Sequence, residues 1–222
     1  MAIATFISGG TAYKVTVNGV PTGGKKYPAV MLIHGNFGLG APYGDQIRGF
    51  AKDLNGLGYV TAVPHYYADD AAHLTDTLPH VQTLTDAISA VVARPDADRD
   101  RLGLIGFSLG SATAMTFIAS NPPGTVKALA DFFGFLTDTV RAEVSRFPPT
   151  IILHNKNDRI VPVADSRDLN RLIPGTIDHQ CVEYDEHWQG VNHAFKPGGA
   201  ADANSQSEAT KWFVKHLPPT AK

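Results

Sequence analysis

The stretch Gly106-Phe107-Ser108-Leu109-Gly110 has the pattern G-x-S-x-G, in which one serine stands between two regularly spaced glycines. A serine in this pattern is a candidate nucleophile, because a sharp strand-to-helix turn exposes its hydroxyl in a strained backbone conformation. Side chains two residues before and after the serine would collide with the turn, so both positions favour glycine. The free N–H groups of a helix that starts here also favour the anion formed when the serine attacks a carbonyl.

A serine nucleophile needs a base, and the base needs an acid that orients it. On a parallel sheet both should follow later strands, in the chain order serine, acid, histidine. Asp158 follows the apolar run Ile151–Leu153, and His193 precedes the last helical pattern. Because Asp158 lies 50 residues after Ser108, and His193 another 35 residues on, each separation fits one strand–helix unit. We therefore predict Ser108 as nucleophile, Asp158 as acid and His193 as base.

Other histidines are weaker candidates for the base. His187 is the main rival, but the acidic residues before it indicate an exposed position, whereas small and apolar neighbours hold His193. His154 ends a predicted strand at the same edge of the sheet but precedes the acid rather than the last helix. His34 also ends a strand and is expected to shape the loop that follows. The remaining histidines are interpreted as packing or surface residues: His65, His73, His80, His179 and His216.

Acyl transfer also requires N–H donors for the carbonyl oxygen that becomes negatively charged. The backbone N–H of Leu109 is predicted to supply one donor. The second is expected from the glycine-rich loop after the first buried strand, with the N–H of Asn36 preferred and Phe37 as second choice. The same loop does not fit a dinucleotide site of the pattern G-x-G-x-x-G, because Gly44 follows Gly40 one residue too late and no acidic residue ends the next strand.

These candidate residues must be positioned by a sheet, and the rest of the chain predicts one. Short apolar runs alternate with helical patterns from about residue 29 onward, which is typical of a mostly parallel α/β sheet with helices on both faces. Two runs before them have the alternation of an antiparallel edge hairpin. We predict about eight strands in a single domain over residues 1–222. The predicted strands are Ala2–Ile7, Tyr13–Val17, Val30–Ile33, Val60–Val63, Leu102–Ile105, Ala128–Ala130, Ile151–Leu153 and Cys181–Val182.

Apolar residues spaced three and four apart predict five helices between the strands. Gly58 is a suitable C-terminal cap for the first helix, and Pro95 prevents the second from continuing. We interpret the apolar stripes as core-facing. They lie within Ile47–Leu57, Val81–Val92, Ala112–Ala119, Leu169–Leu172 and Ala209–Leu217.

Composition excludes several classes of protein. Hydrophobic residues make up 43% of the 222 residues and charged residues 18%, which supplies one sizeable core and argues against disorder. A net charge of −2 without a basic run argues against nucleic acids and anionic membranes as partners. Cys181 is the only cysteine, and no Cys/His cluster has zinc-site spacing, so neither a metal nor another cofactor is predicted. The lack of a secretion signal or a long apolar run predicts a cytoplasmic protein.

The sequence resembles the dienelactone hydrolase family of α/β-hydrolases over essentially its whole length. The matching stretches are His34–Leu39, Gly58–Pro64, Arg101–Gly110, His154–Pro162 and Gly190–Phe195. The resemblance implies an α/β-hydrolase fold without an inserted lid domain. It also maps the family's nucleophile, acid and base onto Ser108, Asp158 and His193, and its oxyanion donors onto the backbone of Asn36 and Leu109.

The sequence departs from the family's pattern at the nucleophile. Dienelactone hydrolase itself has a cysteine nucleophile and a glutamate in the first loop that takes part in activating it. The corresponding positions here are Ser108 and Gly35. Cys181 lies within a strand run and is interpreted as a buried apolar residue rather than a replacement nucleophile.

A second departure concerns charge near the pocket. The family's parent enzyme holds a substrate carboxylate with arginines, but no Lys or Arg occurs between Lys52 and Arg94. Near His193, Lys196 is the only cationic candidate. A neutral or weakly polar ester therefore fits better than dienelactone. The segment expected to roof the pocket is acidic instead, with Asp69, Asp70, Asp76 and Asp86.

Together these features predict a serine hydrolase that cleaves a carboxylic ester or lactone, a small-molecule substrate, through an acyl-enzyme. Two alternatives remain: a thioesterase or acyltransferase, which would share the acyl-enzyme, and a non-catalytic small-molecule-binding protein that retains the fold. The oligomeric state is left open. Candidate substrate-binding side chains are Phe37, Tyr66 and Trp188; Phe132 and Phe133 could be either pocket wall or core, and Phe107 is expected in the core.

Overall fold

A computed structural model describes residues 2–20, 23–67 and 77–221 of the chain. The sequence-based interpretations of Asp69, Asp70, His73 and Asp76 lie outside these residues. Within the described ranges, no helix is both long and apolar enough to cross a membrane.

Eight strands form one sheet in the order β1-β2-β4-β3-β5-β6-β7-β8. Strand β2 runs antiparallel to both of its neighbours, and every other neighbouring pair is parallel. The predicted fold class, an eight-stranded and mostly parallel α/β-hydrolase sheet, is confirmed. The strands are β1 Ala2–Ser8, β2 Thr11–Asn18, β3 Tyr27–Ile33, β4 Val60–Pro64, β5 Ala97–Phe107, β6 Ala128–Phe132, β7 Thr150–Asn155 and β8 His179–Tyr184.

The central strand β3 shows why the apolar runs become strands. All seven of its residues are buried, as expected for a strand covered on both faces. Because successive side chains point to opposite faces, Met31 and Ile33 join one hydrophobic core while Val30 and Leu32 join the other.

Helices cover both faces of the sheet. Helices α1 and α6 contribute residues such as Phe50 and Phe213 to the core on one face. Helices α2, α3, α4 and α5 contribute residues such as Leu84, Met115 and Leu169 to the core on the other face. The helices are α1 Tyr43–Leu57, α2 Leu78–Val92, α3 Leu109–Ser120, α4 Asp138–Glu143, α5 Val163–Leu172 and α6 Ala200–His216.

Three features of this fold do not follow from the apolar pattern. Helix α4 and the 3-10 turn Val144–Arg146 that follows it are too short to show a helical period. The apolar run predicts that β5 starts at Leu102, whereas the strand begins at Ala97. The first part of β5 is rich in charged residues, so an apolar-run criterion cannot detect it, although it pairs with Tyr27 and Pro28 of β3.

The topology brings the candidate residues to one edge of the sheet. Strands β3, β5, β6, β7 and β8 are mutually parallel, so their carboxyl ends lie along the same edge. Ser108 directly follows β5, and Asn36 lies in the loop after β3. Asp158 follows β7 and His193 follows β8. Residues that are up to 157 positions apart in the chain are therefore positioned by neighbouring strand ends.

Candidate active site

Ser108 occupies a strained turn between β5 and α3. Its backbone has φ 55° and ψ −119°, in the positive-φ region that residues other than glycine rarely adopt. Three hydrogen bonds hold the turn. The N–H of Ser108 donates to the carbonyl of Phe132 at 2.9 Å, and its own carbonyl accepts from the N–H groups of Ser111 at 2.9 Å and Ala112 at 3.1 Å. The strain is therefore supported by the neighbouring strand and by the first turn of the helix.

The two glycines of the motif leave no room for a side chain. A Cβ atom at Gly106 would lie 2.2 Å from the Cα of Ser111. At Gly110 it would lie 2.1 Å from the carbonyl oxygen of Ile33. Both neighbours are backbone atoms of packed elements and cannot move aside cheaply. These contacts agree with the prediction that side chains two residues before and after Ser108 would collide with the turn.

A third glycine, Gly35, lies directly against the nucleophile. A Cβ atom there would lie 3.2 Å from the Cβ of Ser108 and 3.1 Å from the carbonyl oxygen of Phe107. A side chain at this position would therefore press on the serine turn from the loop after β3. Gly35 is the position matched above to a glutamate in the family's parent enzyme. In this chain a glutamate there would press on the Ser108 turn.

The structure brings Ser108, His193 and Asp158 together. The Nε2 atom of His193 lies 2.7 Å from the Oγ of Ser108, and its Nδ1 atom lies 2.7 Å from Oδ2 of Asp158. A carboxylate can only accept a hydrogen bond, so Nδ1 carries a proton and donates a hydrogen bond to Asp158. Nε2 is then free to accept the proton of the Ser108 hydroxyl. This is the arrangement in which an imidazole can act as a general base.

The carboxylate of Asp158 is buried and fully hydrogen-bonded. Its Oδ1 atom accepts from the backbone N–H of Ile160 at 2.8 Å and of Val161 at 3.0 Å. Burial alone would raise the pKa of Asp158, but hydrogen bonds from His154 and His193 outweigh it and lower the pKa to about 2. Asp158 is therefore an anion near neutral pH, as the orienting acid of such a site must be.

His154 is a component of the site that the sequence analysis set aside. It is completely buried at the end of β7, and its Nε2 atom lies 3.1 Å from both Oδ2 of Asp158 and the carbonyl oxygen of Val161. Both partners accept, so Nε2 carries a proton, and Nδ1 accepts from the Ser166 hydroxyl at 2.6 Å. His154 thus donates to the same carboxylate oxygen, Oδ2 of Asp158, that accepts from His193. Its place at a strand end was visible in the sequence, but these contacts were not.

The loop after β3 is supported by two tyrosines. The hydroxyl of Tyr66 donates to the carbonyl of His34 at 2.7 Å. The hydroxyl of Tyr67 donates to the carbonyl of Gly35 and accepts from the N–H of Gly38 at 3.2 Å. These bonds hold the backbone on either side of Asn36. The position of Tyr66 corrects the sequence analysis, which placed it in the substrate pocket: its side chain is buried beneath the loop, and burial raises the pKa of its hydroxyl.

The two predicted oxyanion donors lie beside the nucleophile. Asn36 lines the same cavity as Ser108, and Leu109 is the first residue of helix α3. The N–H of Leu109 lacks a partner within its own helix, because the first N–H groups of a helix have no carbonyl four residues earlier. In the described part of the chain, the N–H of Asn36 makes no hydrogen bond. Neither N–H group is used by a hydrogen bond within the described residues, and their role as oxyanion donors stays a prediction.

A cavity of about 280 Å³ opens onto Ser108 and His193. Phe37 and Trp188, two of the predicted substrate-binding residues, line it. Aromatic side chains form much of its wall, namely Phe50, Phe107, Phe132, Phe133 and Phe195. Phe107, which the sequence analysis expected in the core, therefore borders the cavity as well. Among the described residues that line it there is one carboxylate, Asp202, and no Lys or Arg.

The loop that carries His193 is fastened to the acid loop. Asn192 has a positive φ of 56°, and its side chain accepts from the N–H of Trp188 at 2.8 Å and donates to the carbonyl of Asn157 at 3.3 Å. The ring of Phe133 packs edge-on against the imidazole of His193, with centroids 5.1 Å apart. These contacts limit the positions that the His193 ring can take.

Helix α3 is attached to the sheet by a buried pair that the sequence did not reveal. The hydroxyl of Ser111 donates to Oδ1 of Asp131 on β6, which also accepts from the N–H of Gly134 at 2.9 Å. Burial raises the pKa of Asp131, and the Ser111 hydrogen bond offsets only part of that rise. The pair lies one turn beyond Ser108 and fixes the start of the helix beside the nucleophile.

The alternative residues lie elsewhere. The side chain of His187 is 76% exposed, and its nearest acidic partner is Asp185 at 3.8 Å. Lys196 is exposed and stacks over the Trp188 ring, 5.7 Å from its centroid. Cys181 lies on β8, and burial raises the pKa of its thiol to about 11. Across the described ranges, no group of three or more His, Cys, Asp or Glu side chains is arranged to hold a metal ion.

Comparison with solved structures places this fold among known hydrolase structures. The dienelactone hydrolase from Anabaena variabilis is 20% identical, with a TM-score of 0.76 and 97% of each chain covered. Esterase 2 from Thermogutta terrifontis, solved after phosphorylation by paraoxon, is 16% identical, with a TM-score of 0.79 over 100% of this chain and 96% of that one.

A third structure, the dienelactone hydrolase-like promiscuous phosphotriesterase P91 from metagenomic libraries, is 18% identical. Its TM-score is 0.78, with 97% of this chain and 98% of that chain covered. At these identities the structural similarity establishes the fold alone. Comparison with curated protein sequences gives no significant match.

The family is established by the sequence itself. The model of the dienelactone hydrolase family matches residues 15–216, which is most of the chain and includes every residue of the candidate site. This match confirms the resemblance seen in the motif residues, and it supports hydrolase activity. The chain belongs to the dienelactone hydrolase family.

Proposed function

We propose that the protein is a serine hydrolase that cleaves a carboxylic ester or lactone through an acyl-enzyme. The single observation that carries the proposal is the continuous hydrogen-bonded line from Ser108 through His193 to Asp158, with both links at 2.7 Å. In this line the serine oxygen faces a cavity while the acid is buried away from it.

In the proposed first step, the Ser108 oxygen attacks the ester carbonyl as Nε2 of His193 takes its proton. The carbonyl oxygen becomes an anion, which accepts from the backbone N–H groups of Asn36 and Leu109. Each such donor is expected to lower the barrier by about 3 kcal/mol. The ionised carboxylate of Asp158 stabilises the positive imidazolium. The imidazolium then returns its proton to the leaving alcohol, which leaves an ester of Ser108.

The second step repeats this chemistry with water. His193 removes a proton from a water molecule as its oxygen attacks the acyl-enzyme carbonyl, and the same two N–H groups hold the oxyanion. Collapse of this intermediate returns the proton to Ser108 and releases the carboxylic acid. A thioesterase would share both steps, and an acyltransferase would replace water with another nucleophile, so product analysis with added alcohols or thiols separates these activities.

The direct test combines labelling and substitution of the serine. A fluorophosphonate probe should label Ser108 in the folded protein, and Ser108→Ala should lower kcat for p-nitrophenyl acetate by roughly 10,000-fold or more. Ser120→Ala, at the exposed end of the same helix, is the matched control and should keep wild-type turnover and labelling. A folded protein that the probe fails to label would favour a non-catalytic binding protein instead.

The base can be tested by comparing two histidines six residues apart. His193→Ala should remove nearly all turnover, because no other imidazole reaches Ser108 among the described residues. His187→Ala should change turnover little, since that ring lies in solvent. The reverse ranking would move the general base to His187 and would contradict the geometry.

A further inference from the structure

The mouth of the catalytic cavity carries an unusual set of exposed apolar side chains. Seven large hydrophobic residues are exposed in the described part of the chain, and three of them line this one cavity. Phe37 is 80% exposed, Ile160 59% and Val191 39%. Scattered apolar side chains on a surface are ordinary, but a group of them at one opening indicates a binding surface.

Each of these three side chains comes from a loop that holds a different part of the site. Phe37 follows the oxyanion residue Asn36, Ile160 lies two residues after Asp158, and Val191 lies two residues before His193. The loops of Ile160 and Val191 are joined next to them, because the N–H of Arg159 donates to the carbonyl of Val191 at 2.9 Å. The apolar rim is thus built on the same backbone that positions the catalytic groups.

The charged groups around the cavity also favour an uncharged substrate. Its one carboxylate, Asp202, is buried and accepts hydrogen bonds from the side-chain amides of Gln46 and Gln206, both at 2.5 Å. No Lys or Arg lines the cavity within the described residues. Exposed Lys196 lies outside the lining, over the ring of Trp188. An anionic substrate inside the cavity would therefore lose its hydration near a carboxylate without gaining a cationic partner among the lining residues.

We propose that the rim formed by Phe37, Ile160 and Val191 binds an uncharged, apolar group of the ester, so that the substrates are neutral esters with extended hydrophobic groups and not carboxylate-bearing ones. This inference rests on the proposed hydrolase function and narrows its substrate class. The occupant is the substrate itself, because the rim is continuous with the cavity that contains Ser108 and His193.

The test measures kcat/KM in two series of esters, p-nitrophenyl esters from acetate to octanoate and alkyl acetates from methyl to octyl. In the series whose variable group reaches the rim, each added methylene should raise kcat/KM about two- to four-fold until the rim is covered. The charge test compares p-nitrophenyl 6-methylheptanoate with its near-isostere mono-p-nitrophenyl adipate. The anionic ester should be at least about tenfold poorer.

Two isoleucines provide a matched pair of variants. Ile160→Ser removes a rim side chain and should flatten the dependence on chain length. Ile7→Ser removes a side chain of similar exposure, 62%, from edge strand β1 and should leave that dependence as in the wild type. Two binding measurements on the same proteins detect the other possible occupants of the rim. Sedimentation detects a second copy of the chain, and flotation with phosphatidylcholine vesicles detects a lipid surface.

Three results would overturn the inference. The first is a flat response in both ester series, and the second is equal or better turnover of the adipate ester. The third is an Ile160→Ser variant whose chain-length response is unchanged, whether or not it loses self-association or vesicle binding. Failure of the hydrolase proposal looks different, because then neither p-nitrophenyl acetate turnover nor fluorophosphonate labelling of Ser108 would occur.

Discussion

Replacing Asp158 with asparagine should remove most of the activity. It should also remove the part of the unfolding free energy that the wild type loses in acid. The buried carboxylate accepts two backbone N–H bonds and one bond from each of the imidazoles of His154 and His193. An asparagine of the same size can still accept the backbone bonds through its oxygen. Its NH2 group would then face the N–H groups of both imidazoles, and two donors cannot bond to each other.

The activity is lost because the imidazole must change its tautomer. To accept from the new amide, His193 must move its proton from Nδ1 to Nε2, where it faces the oxygen of Ser108. In that form the imidazole cannot take the serine proton. We expect kcat for p-nitrophenyl acetate to fall by roughly 10,000-fold, the size of effect seen when a serine protease acquires the wrong tautomer in this way.

The stability effect follows from the pKa of Asp158, which lies at about 2 in the folded protein against an ordinary value of 3.8. A lowered pKa stabilises the fold while the carboxylate is ionised, so this contribution is fully present above about pH 5 and is lost as the pH falls towards 2. The difference corresponds to about 2 kcal/mol of unfolding free energy at pH 7. About 1 kcal/mol of it should be gone by pH 3.

Urea unfolding of the wild type and Asp158→Asn at pH 7, 5 and 3 measures this change. The difference in unfolding free energy between the two proteins should narrow by about 1 kcal/mol between pH 7 and pH 3. Asp178→Asn is the control, because Asp178 is an exposed carboxylate paired with Lys215 at 2.6 Å, outside the site. It should keep wild-type activity. A constant difference across this pH range, or an activity loss of less than tenfold, would refute the reasoning.

Two further substitutions test the support of the site. His154→Phe keeps a buried ring but removes one donor to Asp158 and the partner of Ser166, so the unfolding free energy should fall by about 2–4 kcal/mol in urea titrations; wild-type stability would contradict the assigned contacts. Gly110→Ala would place its Cβ 2.1 Å from the carbonyl oxygen of Ile33, so the variant should fail to fold by circular dichroism; a folded, active variant would disprove the packing argument.

The sequence was most informative where burial is uniform. Strand β3 is buried along its whole length, so its apolar run alone predicts it. The start of β5 could not be found this way, because Asp98 and Arg101 there form a surface ion pair at 2.7 Å and the strand conformation comes from pairing with β3. Helix α4 is six residues long and depends on a cap, the Thr137 side chain accepting from the N–H of Val140 at 3.2 Å.

For the site, chain order and spacing were enough to choose three residues that the fold brings within hydrogen-bonding distance. They were not enough for residues whose role depends on which atom faces which. The sequence predicts Tyr66 as a substrate-binding residue, but its hydroxyl donates to the carbonyl of His34. The position of His154 in the chain argues against a role as base, and it does not reveal that two oxygens face its Nε2 atom in the folded protein.

The arrangement of acceptors around these two histidines determines where every proton of the site lies. Asp158 and the carbonyl of Val161 oblige His154 to carry its proton on Nε2, so its other nitrogen must accept from Ser166. The same carboxylate obliges His193 to carry its proton on Nδ1, which leaves Nε2 free to accept. Because one buried anion sets both tautomers, the Ser108 hydroxyl meets an acceptor before any substrate binds. The proposed acyl transfer therefore depends on a single carboxylate that accepts from both imidazoles.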